Sequence, residues 1–137
     1  MKIAYREGYK YQLVHDYAGP TLVTPPAPIS TEFVELGVDG VIWLKGGYAW
    51  DGPSGPTFDT PDFMRGSVVH DALYQLMREK LLDTDVYRKA ADETLRAICL
   101  EDGMENFRAA YVYGAVRLLA AGAADPRNAK PIIFAGS

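Results

Sequence analysis

The chain reads as an α+β domain, with N-terminal antiparallel β-strands followed by a three-helix C-terminal half. Three observations predict this. Residues 1–50 carry short runs that alternate aromatic or aliphatic with polar side chains, the period of half-buried strands. A loop rich in glycine and proline, Asp51-Gly52-Pro53-Ser54-Gly55-Pro56-Thr57, then forbids regular structure. Beyond it, apolar residues recur at helical spacing to about residue 121. Strands first and helices after is the α+β order. With 137 residues the chain is one domain: a β-rich part (1–50), a loop (51–60), a helical part (61–122) and a tail (123–137).

Tyr9 to His15 puts Tyr9, Tyr11 and Leu13 on one face and Lys10 and Gln12 on the other, which predicts a strand with His15 on its apolar face. Ala18-Gly19-Pro20 reads as its break. Thr21-Leu22-Val23 reads as a second strand, stopped by Pro25, Pro26 and Pro28, which cannot donate to a ladder. Phe33–Leu36 and Val41–Leu44 are two more, joined by Gly37-Val38-Asp39-Gly40 with hairpin-turn chemistry. After Gly46-Gly47 comes Tyr48-Ala49-Trp50.

Thr60-Pro61-Asp62 starts a first helix, with a capping hydroxyl, proline at the first helical position and an acid in the first turn; it runs to about Glu79. Thr84-Asp85 caps a second helix that ends at Asp102, before Gly103. A third covers about Glu105 to Ala121. Its Phe107, Tyr111, Gly114 and Leu118 form one stripe and Val112, Ala115 and Leu119 another, a pattern that predicts a central helix. In the tail, Ile132-Ile133-Phe134 is a short apolar run suited to docking on the body.

Composition narrows the function classes. Hydrophobic residues make up 48% and charged residues 23%, an ordinary globular balance. A net charge of −4 and the absence of a basic block argue against nucleic acid as a partner. One cysteine, Cys99, allows no intramolecular disulfide and no cysteine-based zinc site. Met1-Lys2-Ile3-Ala4-Tyr5-Arg6-Glu7 lacks the apolar run of a secretion signal, and Ala109–Ala124, interrupted by Arg117, is short for a membrane span.

The chemistry-bearing residues centre on His70. Tyr74, at i+4, shares its helix face, and the flanking Val68, Val69, Leu73 and Leu76 set it beside a core, where an imidazole needs partners on its nitrogens. The first two helices, joined by a short link, lie antiparallel, with His70 about twelve residues before the turn and Asp92 about ten after it, so their heights match. Asp92 is then placed to fix the imidazole's tautomer and leave its other nitrogen as a base. Asp51 and Asp71, with loop carbonyls, form an oxygen donor set for a divalent cation, calcium or magnesium by donor type. Ser54 is an optional nucleophile or ligand. Arg117, on an apolar helix, needs a carboxylate, and Asp71 or Asp92 can supply it.

Each has a structural reading beside the functional one. His70 can be a satisfied structural histidine. Arg88 and Arg96, at i−4 and i+4, can hold Asp92 in surface ion pairs, and Asp51 can cap its own turn. Trp43, Trp50, Tyr111 and Tyr113 read as core or rim.

Taken in order, Gly47-Tyr48-Ala49-Trp50-Asp51-Gly52-Pro53-Ser54-Gly55-Pro56, Val69-His70-Asp71-Ala72-Leu73-Tyr74, Arg88-Lys89-Ala90-Ala91-Asp92 and Tyr113-Gly114-Ala115-Val116-Arg117 resemble the DUF1353 proteins, a family found largely in bacteriophages and prophages. The resemblance covers roughly residues 40 to 118 and adds Arg88 and Tyr113 to the supporting residues. The loop departs from the family's commoner threonine–aspartate–phenylalanine–alanine–serine form at Ser54. That family has no settled reaction, so the likeness implies a phage origin and a place in the infected host's cytoplasm or in the virion. At the level of the site, the order of loop, His-Asp-x-x-Tyr helix and later aspartate is also similar to small secreted phospholipases A2, without their disulfides or calcium-loop glycines. The expectation is a metal-assisted hydrolase of esterase or amidase type, with calcium, magnesium or zinc as cofactor. Its rival is a non-enzymatic virion or tail accessory, or an inhibitor of a host system, in which the same cluster is a structural staple.

Overall fold

The computed structural model describes residues 3, 5–6, 11–50 and 60–119, and every absence reported below refers to them. Among the described residues, seven short strands precede three helices, the expected α+β order. The strands are β1 (Tyr5–Arg6), β2 (Tyr11–Leu13), β3 (Tyr17–Pro20), β4 (Ile29–Ser30), β5 (Val34–Leu36), β6 (Val41–Leu44) and β7 (Ala49–Trp50). They form two antiparallel sheets, ordered β1-β2-β7 and β3-β6-β5-β4.

The β5–β6 hairpin falls where its turn chemistry predicts, and Gly40, at φ 86°, adopts the left-handed conformation that its turn requires. Two strand expectations are corrected. Ala18-Gly19-Pro20 does not break a strand but belongs to β3, pairing with Trp43, Ile42 and Val41. Pro20 ends the strand and Gly19 is tolerated because the ladder to β6 outweighs local propensity. Thr21-Leu22-Val23 is not a strand: the Thr21 hydroxyl donates to the Gly40 carbonyl at 2.7 Å, folding the segment over the hairpin end. His15 is exposed rather than set on an apolar face.

The helices are α1 (Pro61–Arg78), α2 (Thr84–Glu101) and α3 (Asn106–Leu119). Proline at its first position starts α1, but Thr60 caps no backbone amide; its hydroxyl donates to the Asp62 carboxylate at 2.6 Å. The cap of α2 is Asp83, one residue before the expected one, whose carboxylate accepts from the Val86 amide at 3.0 Å. Gly103 follows α2 at φ 98°, as a C-terminal glycine should.

The central helix is α1, not α3. Its buried Met64, Val68, Val69, Ala72, Leu73, Leu76 and Met77 join Leu13, Tyr17, Val34, Leu36, Ile42, Leu44, Tyr48 and Trp50 of the strand region in one core. Trp50, whose indole N–H donates to the Ser67 hydroxyl at 3.2 Å, fastens β7 to α1. A second cluster, Phe63, Leu95, Cys99, Met104, Ala109 and Val112, lies where α1, α2 and α3 meet. The α1–α2 contact is tight at Gly66, where a Cβ would stand 2.8 Å from Leu95 Cδ1 and 3.2 Å from Cys99 Sγ.

Candidate functional site

Three helices bring His70, Tyr74 and Arg117 together around Asp92. His70 and Tyr74 lie one turn apart on α1, with ring centroids 4.2 Å apart. Asp92 projects from α2 with no solvent exposure. Its Oδ1 lies 2.7 Å from His70 Nε2 and accepts the Tyr74 hydroxyl at 2.5 Å. Its Oδ2 accepts from Arg117 Nη1 on α3 at 2.9 Å. The matching heights of His70 and Asp92, and the need of Arg117 for a carboxylate, are both met by one aspartate.

The electrostatics follow from these contacts. Burial pushes the Asp92 carboxyl upward, but hydrogen bonds from His70, Tyr74 and Arg117 outweigh it and hold the group below the usual carboxylate range. Burial and the hydrogen bond to Asp92 raise the Tyr74 phenol well above its ordinary value, so it stays a donor. The Asp92 hydrogen bond likewise raises Arg117. Facing an ionised carboxylate, Nε2 of a neutral imidazole carries the proton and Nδ1 keeps the lone pair. Nδ1 makes no hydrogen bond to a described residue, and 8% of the His70 side chain remains open to solvent.

The two flanking arginines do not form the surface ion pairs that their spacing to Asp92 suggests. Arg88 reaches across to α3 and donates from Nη2 to the carbonyls of Val116 at 3.2 Å and Arg117 at 2.6 Å. It thereby satisfies carbonyls in the last turn of α3, while its Nε is buried without a partner. Arg96 lies over the Tyr113 ring at 5.8 Å. Arg88 thus supports the cluster by fixing the helix that carries Arg117, whereas Tyr113 makes its described contact with Arg96 and not with Asp92. Asp71 is half-buried on α1, one residue on from His70 and turned ~100° from it. Asp51 and Ser54 lie outside the described residues. No group of three His, Cys, Asp or Glu side chains gathers to hold a metal among the described residues.

Sequence reasoning missed a second polar cluster. Arg65, on α1 and only 3% exposed, donates from Nε and Nη2 to Asp102 at 2.8–3.1 Å. Its Nη2 also donates to Glu101 at 2.8 Å, and its Nη1 to the Tyr17 hydroxyl of β3 at 3.0 Å. The signal was present in the chain: a cation inside the apolar run of α1 needs a carboxylate, just as Arg117 does. This cluster borders a cleft of about 770 Å³, whose lining includes Thr60, Asp62, Met64 and Arg108.

Compared with known proteins, the chain matches no family model, no curated protein and no solved structure. No helix among the described residues is long and apolar enough to cross a membrane.

Proposed function

We propose that the protein is a small hydrolase of esterase or amidase type, assisted by a divalent cation, with His70 as general base. The observation that supports this most is the asymmetry of the imidazole: Nε2 is committed to Asp92 at 2.7 Å while Nδ1 makes no hydrogen bond to a described residue. As the oxygen of a water attacks an acyl carbon, its proton passes to Nδ1. The resulting imidazolium is stabilised by the ionised Asp92 and then returns the proton to the leaving oxygen or nitrogen. Tyr74 and Arg117 keep Asp92 fixed and ionised; Arg88 keeps Arg117 in place.

Asp92 is not available as a metal ligand, because both its oxygens are engaged. In this reading Asp71 with Asp51 and loop carbonyls would hold calcium, magnesium or zinc. A cation bound there would stabilise negative charge developing on the acyl oxygen. On the resemblance to the DUF1353 proteins, we take the chain to be of phage or prophage type, acting in the infected host's cytoplasm or in the virion.

A second reading is favoured by a specific observation. Asp92 has no exposure and joins all three helices through full hydrogen bonding, as expected of a polar staple in a non-enzymatic virion accessory or host-system inhibitor. Assay of the purified chain on carboxylic esters, amides and phospholipid, with each cation, separates the two. The hydrolase reading expects turnover that falls at least 100-fold in His70→Asn while the melting temperature moves by no more than a few degrees. Calorimetric cation binding should be lost in Asp71→Asn. Absence of turnover on every substrate, together with a large melting loss in His70→Asn, would leave the staple.

A further inference from the structure

Two arginines reach the cluster around Asp92, and only one of them has a carboxylate. Arg117 gives Nη1 to Asp92 Oδ2 at 2.9 Å. Arg88 directs Nη2 to the carbonyls of Val116 and Arg117 and forms no ion pair with a described residue. Asp85 and Glu93, on the same helix, are exposed and pair with neither arginine. Arg88 nevertheless stands beside the cluster. Burial and Asp92 raise the Tyr74 phenol, and the nearby Arg88 guanidinium opposes them. One carboxylate thus faces two guanidiniums, and with a neutral imidazole one positive charge is left uncompensated.

Arg65 shows what a satisfied guanidinium looks like in this fold. Its Nε, Nη1 and Nη2 all have acceptors, two of them carboxylates. Arg88 is half-buried, and among the described residues its Nε is the one buried side-chain nitrogen or oxygen that lacks a partner. Arg88 Nη1 makes no hydrogen bond to a described residue, and neither do Nε and Nη2 of Arg117. None of these three is among the buried unpartnered atoms, so each meets solvent. A guanidinium keeps its charge at any ordinary pH, and drawing it out of water without a counter-ion is costly.

We infer that Arg88 and Arg117 bind the anionic group, a carboxylate or a phosphate, of the ligand this site takes. The planar fork of a guanidinium matches two oxygens of either group, and its N–H donors on the solvent side are open to receive them. The anion supplies the counter-ion that the fold does not give Arg88. That the ligand is a substrate rests on the hydrolase reading. On that reading it is an ester or amide carrying negative charge, held by the two arginines while His70 acts as base.

Calorimetric titration of the full chain with sodium phosphate and, separately, sodium acetate, at ionic strength held constant with chloride, tests this. At least one should bind in the millimolar range or tighter and raise the melting temperature, as binding to the folded state requires. The tighter of the two assigns the group. Arg88→Met should abolish both the heat and the melting shift. Arg88→Lys keeps a charge beside the α3 carbonyls but loses the fork, and should weaken binding about fivefold; it gives the reading if the methionine variant does not fold. Arg96→Met, on the same helix but over the Tyr113 ring, should bind as the wild type does. His70→Asn should bind too, because the base is not the anion's partner, so binding and turnover fail separately. A wild-type chain indifferent to both anions, or an affinity unchanged in the Arg88 variants, would overturn the proposal. Where turnover is found, an unchanged KM of Arg88→Lys for a negatively charged ester would also overturn it and leave the hydrolase standing. Anion binding that depends on Arg88, without turnover of any ester or amide, would uphold the anion site and remove the hydrolase.

Discussion

The two polar clusters between α1 and α2 use similar groups to opposite ends. Around Arg65, a buried guanidinium is surrounded by acceptors: Asp102, Glu101 and the Tyr17 hydroxyl. Around Asp92, a buried carboxylate is surrounded by donors: His70, Tyr74 and Arg117. The central groups, Arg65 at 3% and Asp92 at 0% side-chain exposure, are both buried; the first cluster reaches solvent through Glu101 at 61% and the second through Arg117 at 31%. A guanidinium has no lone pair to offer, so the Arg65 cluster can hold helices together but cannot take up a proton at neutral pH. The Asp92 cluster includes an imidazole with one nitrogen left over. Burial of charge is common to both and is no mark of function; an uncommitted basic nitrogen beside a fixed carboxylate is what distinguishes them.

Removing the central group of each cluster gives the largest effects. Asp92→Ala leaves a guanidinium, a phenol and an imidazole without their common acceptor, and should destabilise the fold by about 3–5 kcal/mol. A melting temperature roughly 10 °C lower is the expected reading by calorimetry. Arg65→Met keeps the apolar stem of the side chain, and its orphaned partners are partly hydrated, Asp102 at 11% and Glu101 at 61% side-chain exposure. Its cost should be smaller, about 2 kcal/mol. Should Arg65→Met cost more than Asp92→Ala, the Arg65 cluster would be the main tie between the helices, and the expected order of the two would be reversed.

How much of this was legible in the chain depended on whether a signal was local. Helix ends were readable because Pro61 and Gly103 act on their own backbone. His70 and Asp92 were readable because a short link between α1 and α2 converts residue counts into heights. The strand at Ala18-Gly19-Pro20 was hidden, since its stability comes from pairing with β6, residues 41–44, which no local propensity reports. Arg88 and Arg96 were misjudged for the same reason: helix spacing offered each of them Asp92, but partners on α3 won. The two stripes of α3 were visible by periodicity, yet periodicity does not say which stripe a neighbour covers. Loop residues Asp51 and Ser54 fall outside the described residues, so the cation half of the candidate site rests on sequence pattern alone.

Acid titration sharpens the comparison next. The folded Asp92 carboxyl lies below its ordinary value, so its contribution to stability is complete above that value. It is lost as pH falls from about 4 through the lower folded value, because the unfolded chain then binds a proton that the folded one resists. Replacing the carboxylate by an amide removes this linkage. Asp92→Asn should be less stable than wild type at pH 7, with the difference narrowing toward pH 2, as read by urea unfolding across the series. A gap that stays constant with pH would show that Asp92 is not held ionised by its three donors.

Two matched hydroxyl deletions give the smallest and most discriminating effects. Tyr74→Phe removes one of the three donors to Asp92, and Tyr17→Phe removes one of the acceptors around Arg65. Each should cost about 1–2 kcal/mol at pH 7, since each deletes one hydrogen bond to a charged group and leaves the others. Their pH dependences should differ. Without the phenol, burial of Asp92 is opposed by His70 and Arg117 alone, so its folded pKa moves up and the acid limb of the stability curve begins at higher pH. Tyr17 touches no carboxylate of that cluster in any described hydrogen bond, and Arg65 stays charged with or without it. Tyr17→Phe should therefore lower the whole curve without moving the limb. If both variants shift the limb alike, the two clusters titrate as one network through α1 and α2, and the imidazole's partner is not electrostatically separate from the helix tie beside it.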